Sequence, residues 1–313
     1  KLKAFRSLSS FFQRSDQTDN AVKLWQGLLD ELSENADVHF ELETQLAKHN
    51  NLDEAIHHFE KAAQHTSSPR IDVTLNLAQA YQHTDRLDES QIQYEQALLI
   101  DPTSVNALSG LGLLFANQGK IDAAANYFQR AVNRDPKNSQ HRLNLAVAYL
   151  HQRKLNESLQ ELDTILANDP QSIGALVYSA EVKAALNRPR DAIDSLRKVV
   201  ELQPGNAKTW SRIGDLSLAI GEFTQALDAL EQANSHVKDD VVLLGKLAWF
   251  LATAPDAKVR NGAQAVEHAR RAIAITGRKD PLFLDVLAAA YAEAGRFPEA
   301  IATTEESMAT LKK

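Results

Sequence analysis

Residues 105–138 read VNALSGLGLLFANQGKIDAAANYFQRAVNRDPKN, and this stretch alone implies two helices. Leu108, Leu111, Gly112 and Phe115 fall on one stripe at helical spacing, and Ala124, Phe128 and Ala131 on a second. Each half is amphipathic, so neither buries its stripe alone and the two must pack on each other and on neighbours. Between them Gly119 tolerates the left-handed backbone that ends a helix, and Pro136 closes the stretch.

Working outward, Pro102, Pro136, Pro170 and Pro204 recur every 34 residues, three of them behind Asp101, Asp135 and Asp169. With the proline at position 32, units start at Ile71, Val105, Ser139, Ile173 and Ala207, and other signals fall into register. Leu77, Ala78, Tyr81, Tyr94 and Ala97 repeat the pattern, as do Leu145, Ala146 and Tyr149, then Trp210, Ile213, Gly214, Ala226 and Ala233. Leu42, Leu46, Ala55, Phe59 and Ala62 extend it backward, then Ala21, Trp25 and Leu28; Leu287, Ala288, Tyr291 and Ala300 extend it forward. In the unit from Val241, Leu244, Leu247, Ala248 and Leu251 keep the register, but the partner alanine, Ala265, comes five residues late, which places an insertion within Ala254–Gly262. The units are 2–35, 36–70, 71–104, 105–138, 139–172, 173–206, 207–240, 241–280 with the insertion, and 281–313, read as one array.

Small residues at positions 8 and 20 (Gly112 with Ala124, Ala78 with Ser90, Gly214 with Ala226) are expected to let the paired backbones approach. Position 15 carries Asn50, Asp85, Gly119, Asn187, Gly221 and Gly295, residues suited to a helix end. Three positions on, Asp53, Asp88, Asp122, Asn156 and Thr224 are expected to cap the second helix. Arg153 and Arg190 break these patterns, and so does Pro298, which still suits a helical first turn.

Of the 313 residues, 24% are charged and 44% hydrophobic, a globular balance that excludes disorder and collagen-like repetition. No run approaches the ~18 apolar residues of a membrane-spanning helix, so no membrane insertion of this segment is expected. The formal charge of -7 argues against a nucleic-acid partner; residues 241–313 carry 10 basic and 8 acidic side chains, and the acidic excess lies before them. The absence of cysteine rules out disulfides, thiolate metal sites and a cysteine nucleophile, and leaves the compartment open. The first residue is Lys1 rather than methionine, as in a processed protein or an excised part of a longer chain.

The bulky-Leu-Gly/Ala-Tyr stripe followed by Ala-Phe-Ala and proline resembles the tetratricopeptide repeat (TPR) signature over essentially the whole chain. That resemblance implies an all-α, right-handed superhelical solenoid of about nine helix-turn-helix units. Leu247–Asp256 together with Ala265–Arg271 is similar to a penultimate unit of many bacterial TPR proteins, in which the array is often the C-terminal part of a larger exported or membrane-bound protein.

The resemblance also implies an inner face built from positions 2, 5, 6, 9, 12 and 13 of the first helices. In the first half it reads amide-rich: Asn76, Gln79, His83, Asn106, Asn117, Asn144 and His151, with Asp37, Thr44, Lys48, Asp72, Gln82, Ser109 and Gln140. Asn76 and Asn144 share position 6, where an asparagine presents a donor and an acceptor to a peptide backbone. Asparagines there resemble those of the TPR arm of O-GlcNAc transferase, with Gly110 and Tyr178 interrupting the ladder; the alternative is that they simply face solvent. Further on, Lys208, Arg212 and Lys246 match part of the clamp by which chaperone-adaptor TPR domains hold acidic C-termini. Leu143, Val147 and Tyr178 stand where the rest of that clamp belongs, and Glu181 or Asp215 could neutralise the cations in an internal ion-pair network.

Ten histidines raise a metal hypothesis, densest at His39, His57, His58 and His65. Adjacent histidines on a helix point about 100° apart, so His57 and His58 are read as a solvated pair and no metal site is assigned. No HExxH, glycine-rich phosphate loop or Gly-x-Ser-x-Gly elbow occurs, so neither catalytic residues nor a cofactor is expected. The expected function is a non-catalytic protein–protein interaction scaffold holding an extended peptide or partner helix in its concave groove, an acidic segment in the partner being one option. The alternative is a regulatory or substrate-presenting arm of a larger exported or membrane-bound enzyme such as a glycosyltransferase. The first unit, with Leu2, Phe5 and Phe11 needing cover, leaves self-association open.

Overall fold

The computed structural model describes residues 2–15, 17–48, 52–66, 68–237, 239–277 and 280–311. Among them every regular element is an α-helix: α1 (Leu2–Arg14), α2 (Thr18–Leu29), α3 (Ala36–Lys48), α4 (Leu52–Gln64), α5 (Ile71–His83), α6 (Leu87–Ile100), α7 (Val105–Asn117), α8 (Ile121–Arg134), α9 (Ser139–His151), α10 (Leu155–Asn168), α11 (Ile173–Ala185), α12 (Pro189–Leu202), α13 (Ala207–Ala219), α14 (Phe223–His236), α15 (Val241–Thr253), α16 (Gly262–Thr276), α17 (Pro281–Glu293) and α18 (Phe297–Leu311). The odd-numbered helices start at the residues where the 34-residue register puts position 1 of each unit. The fold is an all-α solenoid of helix pairs.

The chain forms two compact units, Lys1–Lys154 and Leu155–Lys313, divided between the helices of the 139–172 repeat. In the first, α1 to α8 pack as four successive pairs and α9 lies on α8; in the second, α10 packs on α11, and α11 to α18 pack as four pairs. The stripes read from sequence form the cores. Trp25, Leu42, Phe59, Leu77 and Tyr81 share one cluster of the first unit, and Tyr94, Leu111, Leu114, Phe128 and Leu145 share the other. The second unit is held by clusters around Leu196 and Ile213, around Leu230 and Leu247, and around Leu251 and Leu287.

Two expectations about turns are corrected. Position 15 does take the left-handed conformation, at Asp85, Asn187, Gly119, Gly221 and Gly295, but Arg153 adopts it as well, with φ 61°, despite its Cβ; Asn50 lies outside the described residues. Asp88 and Asp122 do not cap. The second helices begin one residue before them, at Leu87 and Ile121, with Arg86 and Lys120 at the N-cap and no side-chain cap bond, so both aspartates sit in the first turn and act through the helix dipole. Real caps close the first helices: Ser104, Asn138, Asn206 and Asp240 accept from Ala107, Gln140, Thr209 and Leu243 N–H groups.

The basic residue after the turn has another role. Arg86, Lys120, Lys154 and Arg296 lie over the rings of Tyr81, Phe115, Tyr149 and Tyr291, each at 4.3–5.6 Å from the centroid. Three of these positions also latch onto the preceding helix pair. Tyr81 donates to Glu60 at 2.6 Å, Tyr149 to Gln129 at 2.8 Å, and Tyr291 accepts from Arg270 at 2.8 Å.

The insertion is an ordered connection. Ala254 and Val259 are buried within it, the Asn261 N–H donates to the Leu251 carbonyl at 2.9 Å, and Arg260 pairs with Glu293 at 3.0 Å. Gly262 is required there because any Cβ would strike the backbone of Ala294.

Candidate functional sites in each unit

In the first unit, Thr44, Leu52 and Phe59 face Asn76, Gln79, Ala80 and His83 across a cleft of about 300 Å³. Three of the expected site residues, Asn76, Gln79 and His83, are therefore brought together between two successive helix pairs. Asn106 and Asn117 lie exposed on α7, and His151 is exposed at the end of α9; none of them lines that cleft. Asn144 accepts a hydrogen bond from Gln140 at 2.9 Å, which occupies one of its two polar atoms. Gly110, which interrupts the asparagine ladder, has its own reason: a Cβ there would enter the Tyr94 ring. Of the acidic residues at position 2, Asp37 and Asp72 are both held by Arg70, at 2.6 Å each. The bond to Asp72 and then that to Asp37 raise the Arg70 pKa, and the same guanidinium holds Asp72 below the usual carboxylate range. The side chain of Lys48 lies outside the described residues.

The histidine cluster is not the solvated pair expected from spacing. His57 is exposed, but His58 turns to His39, Nδ1 to Nδ1, at 3.1 Å. His39 is buried, and its Nε2 lies 2.8 Å from the Ser33 carbonyl. A carbonyl only accepts, so Nε2 of neutral His39 carries the proton, its Nδ1 accepts, and His58 Nδ1–H donates. Among the described residues no three His, Cys, Asp or Glu side chains are grouped to hold a metal ion. Burial lowers the pKa of both rings, with Ser33 opposing on His39, and His39 adding to the effect on His58. A histidine whose folded pKa is depressed contributes stability above its ordinary value of about 6.5 and loses it as pH falls through the folded value. Protonation of both rings sets two N–H donors against each other. The thermal midpoint is therefore expected to drop between pH 7 and 5, with about 1 kcal/mol lost with the hydrogen bond. His39→Asn should flatten that limb; an unchanged pH profile would show that the pair has no such role.

One neighbour was invisible to pattern reading. Glu43 occupies position 8, where the repeat wants a small residue, and is completely buried with neither carboxylate oxygen hydrogen-bonded. Burial pushes its pKa up to about 11, against a smaller opposing pull from Arg70, so it is a neutral carboxylic acid at pH 7.

In the second unit, Lys208, Arg212 and Lys246 line one cleft of about 380 Å³ together with Ser211, Asp215 and Asp240. Lys246 is held by Asp215 at 2.7 Å, the neutralisation expected from the carboxylate at position 9. Asp240 is engaged as the N-cap of α15. Lys208 and Arg212 are exposed, and among the described residues neither makes an ion pair, so the cleft keeps a positive edge. Val237, Val242 and Leu243 supply an apolar wall beside it.

Two family models described as tetratricopeptide repeat match residues 70–137 and residues 109–173 and 179–235, together just over half of the chain. The chain belongs to the tetratricopeptide repeat family. A TPR protein of Parabacteroides merdae superposes with a TM-score of 0.58 at 18% identity, covering 78% of this chain and 96% of that one. YrrB, described as a TPR protein with an unusual peptide-binding site, gives 0.52 at 20% identity over 63% of this chain and 97% of its own. At these identities the likeness concerns the fold. Anaphase-promoting complex subunit 3 of Schizosaccharomyces pombe is 23% identical over 184 residues, 55% of this chain and 28% of that protein. The chain spans 13% to 31% of the length of the curated relatives it matches. In this TPR chain no described helix is long and apolar enough to cross a membrane.

Proposed function

We propose that the protein is a non-catalytic interaction scaffold that holds an extended peptide, with an acidic side chain set against the Lys208–Arg212 edge. The observation that carries this reading is the state of that cleft: Lys246 is already neutralised by Asp215, whereas Lys208 and Arg212 project without an ion pair among the described residues beside Val237 and Val242. A partner with an acidic residue next to an apolar one satisfies both walls. The Asn76–Gln79–His83 cleft suits a neutral peptide backbone, because amides supply both donors and acceptors.

Binding of an Asp/Glu-containing extended peptide, read by fluorescence anisotropy, is expected to weaken by about 1.5–3 kcal/mol in Arg212→Ala and by about 0.5–1.5 kcal/mol in Asn76→Ala. Added salt should narrow the gap, since both cations are exposed. If Lys208→Ala/Arg212→Ala and Asn76→Ala/Asn144→Ala, folded by circular dichroism, bind the same peptides equally well, these faces are not the binding surface.

A further inference from the structure

The cationic cleft is one step of a series, because the same positions recur on every first helix. Its walls include positions 2, 5, 6 and 9 of α13 and positions 2, 3 and 6 of α15. One step along, between α15 and α17, those positions hold Val242, Gly245, Lys246 and Trp249, then Leu282, Phe283 and Val286. The amine of Lys246 is already neutralised by Asp215, and everything else in this second set is apolar.

Gly245 lets the two helices close up, since a Cβ there would stand 2.8 Å from the Phe283 ring. Phe283 and Val286 are buried, whereas Val242, Trp249 and Leu282 are 72%, 50% and 64% exposed. That exposure belongs to the positions themselves: position 2 is also exposed at Asn106, Gln140 and Lys208, and position 9 at Gln79, Leu113 and Glu181. What changes is the chemistry. Position 2 is polar or glycine in every unit from Asp37 to Lys208 and turns apolar only in α15 and α17. Apolar side chains gathered at solvent-facing positions of neighbouring helices mark a contact surface.

Resting on the reading of Lys208 and Arg212 as the site of an acidic side chain, we propose that the α15–α17 face is the second half of that site. It takes one apolar side chain of the same extended peptide, three residues away from the acidic one. Charge complementarity selects the occupant: two exposed cations, with no ion pair among the described residues, stand beside three exposed apolar side chains. The spacing follows from geometry. Packed helices lie about 8–10 Å apart and an extended chain covers about 3.1–3.4 Å per residue, so one step along the series takes about three residues. In the polyproline II form three residues complete one turn, and both side chains then face the protein. A helical partner, rising 1.5 Å per residue, would need about seven.

The test uses labelled Ser/Pro peptides of one composition, stiff enough to hold their spacing, each carrying Glu-Glu and a single Leu three or seven residues from the nearer glutamate, on either side. By anisotropy the three-residue spacing should bind about tenfold tighter than the seven-residue one. With unlabelled peptide it alone should shift the tryptophan emission to the blue, a shift lost in Trp249→Ala. Trp249→Ala and Leu282→Ser, both at exposed side chains, should bring the tighter peptide down to the weaker one with unchanged circular dichroism, whereas Arg212→Ala should weaken both. Affinity that ignores spacing, or wild-type binding by Trp249→Ala while Arg212→Ala still weakens, overturns this inference and leaves the acidic site standing. Tighter binding at seven overturns it in favour of a partner helix. If no peptide binds, or Lys208→Ala/Arg212→Ala has no effect, the acidic site falls and this second half falls with it.

Discussion

Phe128→Ala is expected to lower the stability of the chain by about 3–5 kcal/mol, the range for removing a fully enclosed aromatic ring from a core. The ring is 2% exposed and shares a cluster with Tyr94, Leu111, Leu145 and Ala148, which come from α6, α7 and α9. Its loss leaves a cavity between three helix pairs rather than a dent at an edge, and the surrounding helices are tied by their own partners, so collapse is incomplete. Hydrogen exchange should locate the damage in α7 to α9, with much less effect on the cluster around Leu251 and Leu287. Urea denaturation with an unchanged midpoint would remove Phe128 from the place assigned to it.

The second large effect is Gly112→Leu, expected to cost at least about 3 kcal/mol, the upper end for overpacking. The repeat pattern alone sets Gly112 against Ala124, but the structure shows a different obstacle: a Cβ on Gly112 would lie 2.5 Å from the Phe128 ring. That ring is itself enclosed, so it cannot swing aside as an exposed side chain would. The two substitutions therefore couple. In Gly112→Leu/Phe128→Ala the leucine can enter the volume the ring has left, and the double variant should lose less than the sum of the single changes, by about 0.5–3 kcal/mol. Strict additivity in a double-mutant cycle would place the two residues out of contact.

Much of the architecture was legible because it is set by period. Prolines every 34 residues and two apolar stripes per unit leave few ways to bury Leu108, Leu111, Ala124 and Phe128 other than stacked helix pairs, and the odd-numbered helices start where that register demands. The insertion before Ala265 was legible for the same reason, as a break in an otherwise strict count. Caps were read less well. A single aspartate at position 18 looks like an N-cap in one dimension, yet the helix starts one residue earlier, because the apolar residue at position 17 is drawn into the first turn. The grouping of Lys208, Arg212 and Lys246 followed from their shared helical faces, and so did that of Asn76, Gln79 and His83.

What tertiary structure alone decided is which polar groups satisfy one another, because pairing depends on distances between segments that a repeat count does not measure. Sequence determined that Asp215 could neutralise a cation; the structure selected Lys246 and left Lys208 and Arg212 outward. Sequence placed His57 beside His58, but the helix turned the second ring inward, toward a histidine 19 residues earlier. Glu43 breaks the small-residue rule at position 8, and only packing shows that it is buried without a partner. Periodicity dictates where apolar surface goes, since burial is nearly non-directional; hydrogen bonds and ion pairs need specific atoms within about 3 Å, and that requirement is met only once the helices are in place.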